Sequence, residues 1–160
     1  MLAVSNTSPI SNLAIIGRLE LLLHRYSVIH IPAAVFAELQ ALSHAAGKLQ
    51  IETALAKRWL VVKEVTAIMP IPFALDAGEA AAISLARQLR ADVLLMDERR
   101  GREAARQLGL TVAGVLGELV YAKRFQRITT VREEILRLRR EAGFFVDKGV
   151  EQFILSQAGE

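Results

Sequence analysis

The chain contains no cysteine. That excludes disulfides, thiolate metal sites and cysteine nucleophiles, and it accords with a reducing compartment. No apolar run reaches the roughly 18 residues of a spanning helix, so no membrane partner is expected. A secretory leader is also missing: Met1 to Val4 starts a strand at once, without basic and long apolar regions, and a cytoplasmic location is the expectation. Charge of one sign does not dominate either. There are 20 Lys and Arg against 17 Asp and Glu, a net +3, which permits a nucleic-acid partner without demanding one. Repeats, low-complexity segments and linkers are absent, and Gly114-Val115-Leu116-Gly117 is not a dinucleotide or Walker-type phosphate loop. His24, His30 and His44 lack metal-ligand spacing.

What remains is apolar: 52% of the 160 residues are hydrophobic, enough for one domain over residues 1–160 with a substantial core. Leu2-Ala3-Val4-Ser5 reads as a buried strand. Pro9 fits the first turn of a helix capped by Thr7 or Ser8 and ending near Gly17. A short helix over 19–26, a strand at Val28-Ile29-His30-Ile31 and a helix from Ala33 to Ala46, closed by Gly47, follow. The next elements are a helix from Leu49 to Trp59 and a short strand at Leu60-Val61-Val62. Pro70 and Pro72 keep 68–72 out of any central strand. Asp76 and Glu79 have capping-box spacing ahead of an apolar helical pattern at Ala80, Ile83, Ala86 and Leu89. Val93-Leu94-Leu95-Met96 is apolar throughout, as a parallel strand covered on both faces should be. A basic helix from Arg99 to Leu108, a strand at 110–112 and helices over 115–125, 131–141 and 148–158 complete the chain. Strands alternating with helices predict a doubly wound α/β domain.

Polar islands interrupt this pattern, and they carry the chemistry. Ser5-Asn6-Thr7-Ser8 and Asp97-Glu98 stand where apolar strands end, while Glu38 and Asp76-Ala77-Gly78-Glu79 stand in the first turns of helices. If the strands are parallel neighbours, all of them converge on one sheet edge, the usual place for an α/β active site. Glu38, Glu79 and Asp97 meeting there would repel one another and call for a divalent cation. Mg2+ and Mn2+ prefer such oxygen ligands and suit phosphodiester cleavage. Each residue has a second reading. Asp97 could cap the Arg99 helix, Glu79 could merely complete the capping box, and Glu38 could be solvated surface. Asn6 could stabilise a turn or offer its carbonyl to a cation, and Ser8 could cap or add a hydroxyl. Arg99, Arg100 and Arg102 could hold a phosphate backbone or form a solvated face, and Lys123, Arg124 and Arg127 share that ambiguity.

At these residues the chain resembles the PIN-domain superfamily, and more closely the small PIN-like proteins grouped as DUF3368. The matching segments are Val4 to Leu13, Ile31 to Leu39, Leu75 to Ala80, Leu94 to Arg102, Gly114 to Gly117 and Ala158 to Glu160. The resemblance implies a three-layer α/β/α fold with a central parallel sheet of about four or five strands. It also implies a Mg2+- or Mn2+-dependent ribonuclease, often the toxin of a toxin–antitoxin pair. Carried over by position, Glu38, Glu79 and Asp97 match the metal-binding acids of the family. Asn6 stands where most PIN nucleases place an aspartate, which removes one negative charge from the site.

The leading expectation is therefore a metal-dependent endoribonuclease acting on single-stranded RNA. Glu38, Glu79 and Asp97 would hold the cation, Asn6 and Ser8 would orient ligands or water, and Arg99 and Arg102 would hold the RNA. The alternative is a PIN-like module with a weakened site that binds RNA or a protein partner. A small antitoxin protein and a homodimer built on the leucines of the last two helices are further expectations.

Overall fold

A computed structural model of the chain describes residues 1–160. Its centre is one sheet of five strands: β1 (Leu2–Ser5), β2 (Val28–Pro32), β3 (Leu60–Lys63), β4 (Val93–Leu95) and β5 (Val112–Ala113). All pairings are parallel, in the order β3-β2-β1-β4-β5. The architecture is the expected three-layer α/β/α fold, with five strands rather than four.

Side-chain alternation divides the sheet between two cores. Ala3, Ile29, Ile31, Val93 and Leu95 point to the larger one. There they pack against α1 (Thr7–Ile15), α2 (Ala33–Gln40), α3 (Ala45–Ala56), α6 (Val115–Arg124), α7 (Val131–Ala142) and α8 (Lys148–Gln157). Val4 and Leu94 point the other way, to α4 (Ala77–Leu89) and α5 (Arg99–Gln107), whose Ala82, Ile83, Ala104 and Ala105 are fully buried. A strand covered on both faces has no polar side to alternate with, which is why β4 is apolar at every position.

Several boundaries differ from the sequence-based expectation, each for a local reason. The predicted helix from Ala33 to Ala46 stops at Gln40, and the next, predicted from Leu49 to Trp59, runs from Ala45 to Ala56. His44 Nδ1 accepts the Gly47 N–H (2.9 Å) and so caps α3, ending the continuity at Gln40. Gly47 does not close a helix; it lies inside α3, where a Cβ would stand 3.3 Å from Ile15. The segment 19–26 is a 3₁₀ turn over Leu19–His24. The last strand sits later than expected, at Val112–Ala113. Neither Thr7 nor Ser8 caps α1: Asn6 is the N-cap residue and its side chain makes no capping bond, because it is engaged elsewhere. The loop containing Pro70 and Pro72 stays outside the sheet, pinned to α4 by Met69 N–H donating to Ser84 Oγ (2.9 Å). No helix is long and apolar enough to cross a membrane.

Candidate active site

The order β3-β2-β1-β4-β5 makes β1 the strand where the chain's direction of travel across the sheet reverses, and ligand sites in open α/β sheets lie beyond the carboxyl end of such a strand. Asn6 is the first residue past that end. Its N–H donates to Leu95 O (2.9 Å), extending the β1–β4 ladder by one residue and leaving Asn6 only 4% exposed. Asp97 and Glu98 follow β4 at the same edge, Glu38 lies in the helix after β2, and Asp76 and Glu79 open α4.

These residues form two groups with Asn6 between them. In the first, Thr7 Oγ1 donates to Glu38 Oε2 (2.5 Å), and Glu38 faces the start of α4. A Cβ placed on Gly78 would lie 2.7 Å from Glu38 Oε1 and 3.4 Å from both Asn6 Oδ1 and Asp76 Oδ1. A side chain at position 78 would push the Glu38 carboxylate out of this place. Asp76 and Glu79 form the predicted capping box: Glu79 N–H donates to Asp76 Oδ1 (2.7 Å) and Asp76 N–H to Glu79 Oε2 (3.0 Å). In the second group, Ser8 Oγ donates to Glu98 Oε1 (2.5 Å) and Asn6 Nδ2 to Glu98 Oε2 (3.2 Å). Asp97 turns toward α6, where its Oδ1 accepts the Val115 N–H (2.9 Å). Asp97 therefore does cap a helix, but α6 rather than α5, whose N-cap residue is Glu98. Its other oxygen, Oδ2, is buried and has no hydrogen-bond partner.

Burial and like charge act together on the acids. Burial raises the Glu79 carboxyl above its ordinary range; the Asp76 N–H opposes this, while Asp76, Glu98 and Glu38 add to it through their charges. Burial pushes Asp97 up to about 6, with the Val115 N–H and Arg102 pulling it down and Glu98 pushing further. Glu98 thus stands electrically between the two groups. Polar groups this deep are normally paired, so an orphaned carboxylate oxygen marks a place for a cation or proton.

The DUF3368 family model, described as a PIN domain, matches residues 2–160. The chain belongs to this PIN-domain family. PIN domains are generally nucleases. A PilT N-terminus domain protein, SSO1118 from the hyperthermophilic archaeon Sulfolobus solfataricus P2, shares the fold. It is 22% identical, with a TM-score of 0.57 over 76% of this chain and 93% of that one. A comparison with curated proteins finds no match.

Within this PIN domain the donor chemistry fits a hard divalent cation. Every candidate ligand is an oxygen, and Asp97 Oδ2 is an unpaired buried acceptor. The placement is nonetheless divided. Glu38 is held by Thr7, Glu98 by Ser8 and Asn6, and no three acidic or histidine side chains are arranged to share an ion. Glu38 and Glu79 lie on one flank of Asn6 and Asp97 on the other, all at one sheet edge.

The arginines take different places. Arg102 Nη1 donates to Met96 O (2.8 Å), and a Cβ on Gly114 would meet both Arg102 Nη1 and Asp97 Oδ1 at 2.7 Å, so Arg102 lies against Asp97. Arg99 is exposed at the start of α5. Four contributors, Glu98, Thr7, Gly78 and Gly114, stand within the motifs read from the sequence but have no site role there. Glu98 was legible as the second acid beyond an apolar strand. The other three act through close approach across the fold, which spacing along the chain does not encode.

Proposed function

We propose that this PIN domain is a metal-dependent endoribonuclease that cleaves single-stranded RNA, using Mg2+ or Mn2+. The observation that supports it most is Asp97 Oδ2, a buried and unpaired carboxylate oxygen at the switch-point edge of the sheet, the edge that also carries Asn6, Glu98 and, across Asn6, Glu38 and Glu79. Glu38, Glu79 and Asp97 would hold the cation, with the Asn6 carbonyl as a neutral donor. Bound there, the cation would activate water and offset charge on the phosphodiester. Thr7 and Ser8 hold Glu38 and Glu98 by hydrogen bonds that would have to break for either acid to reach the ion, while the Val115 N–H holds Asp97 Oδ1 and the charge of Arg102 favours its carboxylate form. Arg99, exposed at the rim, would hold an RNA phosphate.

Purified protein should cleave single-stranded RNA only with added Mn2+ or Mg2+, and Asp97→Asn should abolish the activity. Equal degradation by wild type and that variant would sink the reading. The second reading, a weakened module that binds RNA or a protein, is favoured by the division of the acids and the missing charge at Asn6. It predicts RNA binding without cleavage. We further propose a toxin role, with a small antitoxin protein covering the acidic edge. Of the leucines expected to build a homodimer, Leu138 and Leu155 lie in the core; exposed Leu136 on α7, with Phe153 on α8, would support one instead.

A further inference from the structure

We infer that Phe145 is a stacking platform that positions one unpaired base of an RNA strand entering the acidic cleft. The inference rests on the nuclease reading for the identity of the strand. Beside the second acidic group lies an open cleft of about 360 Å³, bordered by Ser8, Asn12, Asp97, Glu98, Phe144 and Phe145. The orphaned Asp97 oxygen therefore belongs to a residue of the same cleft as an aromatic ring that is 87% exposed.

Single exposed apolar residues are common on protein surfaces and mean little alone. Phe145 differs in how it is held. The connection between α7 and α8 is anchored on both sides of it. Gly143 closes α7 in the left-handed region (φ 63°), and the Phe144 N–H donates to Leu138 O (3.1 Å). After Phe145, Val146 is buried, its carbonyl accepts Arg139 Nη2 (3.3 Å), and Asp147 caps α8 through Gly149 and Val150. Neighbours turned inward and tied down force the intervening ring outward, so its exposure is built into the backbone. An aromatic face fixed beside a phosphodiester-cleaving edge is what splayed, single-stranded RNA stacks on, and a duplex, whose bases are already stacked, has no use for it.

The experiment uses the full chain with Asp97→Asn, so that binding is read without cleavage, and fluorescein-labelled oligouridine with Mn2+ as the probe. Adding Phe145→Ala should weaken single-strand binding about 10-fold, with no change in the urea unfolding midpoint, and Phe145→Trp should restore it. A duplex of the same length, and a single strand made abasic, should be insensitive to the Ala substitution. Phe145→Trp also carries its own signal. Trp59, the only other tryptophan, is 7% exposed, so quenching of the exposed indole by oligouridine in metal-free buffer reports stacking with no need of an ion.

Equal binding by the Ala variant, equal sensitivity of the abasic strand, or no quenching at position 145 would overturn the inference. So would a Phe145→Ala effect confined to self-association in sedimentation, which would make the ring a protein contact. The two readings fail separately. Cleavage that depends on Asp97 but not on Phe145 leaves the nuclease and removes the platform. Phe145-dependent binding by a wild type that never cleaves does the reverse.

Discussion

Asn6 spans the two acidic groups with one amide: Oδ1 faces Gly78 and Nδ2 donates to Glu98. An aspartate there would lose the donor and set a second carboxylate about 3.2 Å from Glu98. Asn6→Asp should therefore destabilise the metal-free protein by about 1–3 kcal/mol, read by urea unfolding, with the deficit shrinking when Mn2+ is added. A deficit indifferent to Mn2+ would mean that position 6 does not face the ion. Gly114 works by size alone. Gly114→Ala would press a methyl group against Arg102 and Asp97 at 2.7 Å, and should cost about 1–3 kcal/mol in the same assay. The polar identity of these positions could be read along the chain, because an Asn or Asp closing an apolar strand is visible in one dimension. The partners could not. Nothing in the spacing says that Asn6 donates to Glu98, 92 residues away.

Helices deliver the acids, so their ends carry disproportionate weight. The α4 capping box was legible from Asp76 and Glu79 at the required spacing, and Asp76→Ala should cost about 1 kcal/mol while freeing Glu79 to turn. A break between α2 and α3 was expected at Gly47, but its true place before Ala45 was not legible, since a histidine nitrogen serving as cap acceptor has no strong sequence signature. A second element contact makes stability depend on pH. Glu118 of α6, 4% exposed, accepts from Tyr26 Oη–H (2.7 Å) and Arg25 Nη1 (2.9 Å) beyond the 3₁₀ turn. Burial raises its carboxyl above the ordinary 4.5, although Tyr26 and Arg25 pull the other way. The folded state thus holds this proton more tightly than the unfolded one, so stability falls as pH rises from about 4.5 through the raised value. Glu118→Gln should remove that part of the slope in urea midpoints measured across the interval. An unchanged slope would assign it to other carboxyls.

At the scale of the molecule, ion binding and folding are linked. A ligand at about 100 times its Kd adds roughly 2.7 kcal/mol to stability, which for a chain of this size raises Tm by about 5–10 °C. Mn2+ should produce such a shift in the wild type and little or none in Asp97→Asn. Identical shifts would place the ion elsewhere. The arrangement that makes this testable is the strand order, which brings β1 and β4 side by side although 87 residues separate Ser5 from Val93.

Composition and periodicity by themselves determined the class of fold, the order of its strands and helices along the chain, and the small set of oxygen-bearing residues standing where strands end. Those are local matters, decided by which side chains can be buried and which must cap or turn. The tertiary structure alone decided how the acids divide around Asn6, which helix Asp97 caps, and that a ring on the α7–α8 connection stands at the cleft. Each depends on contacts between segments far apart in the chain, whose geometry is set by packing two cores against one twisted sheet and leaves no mark at any single position.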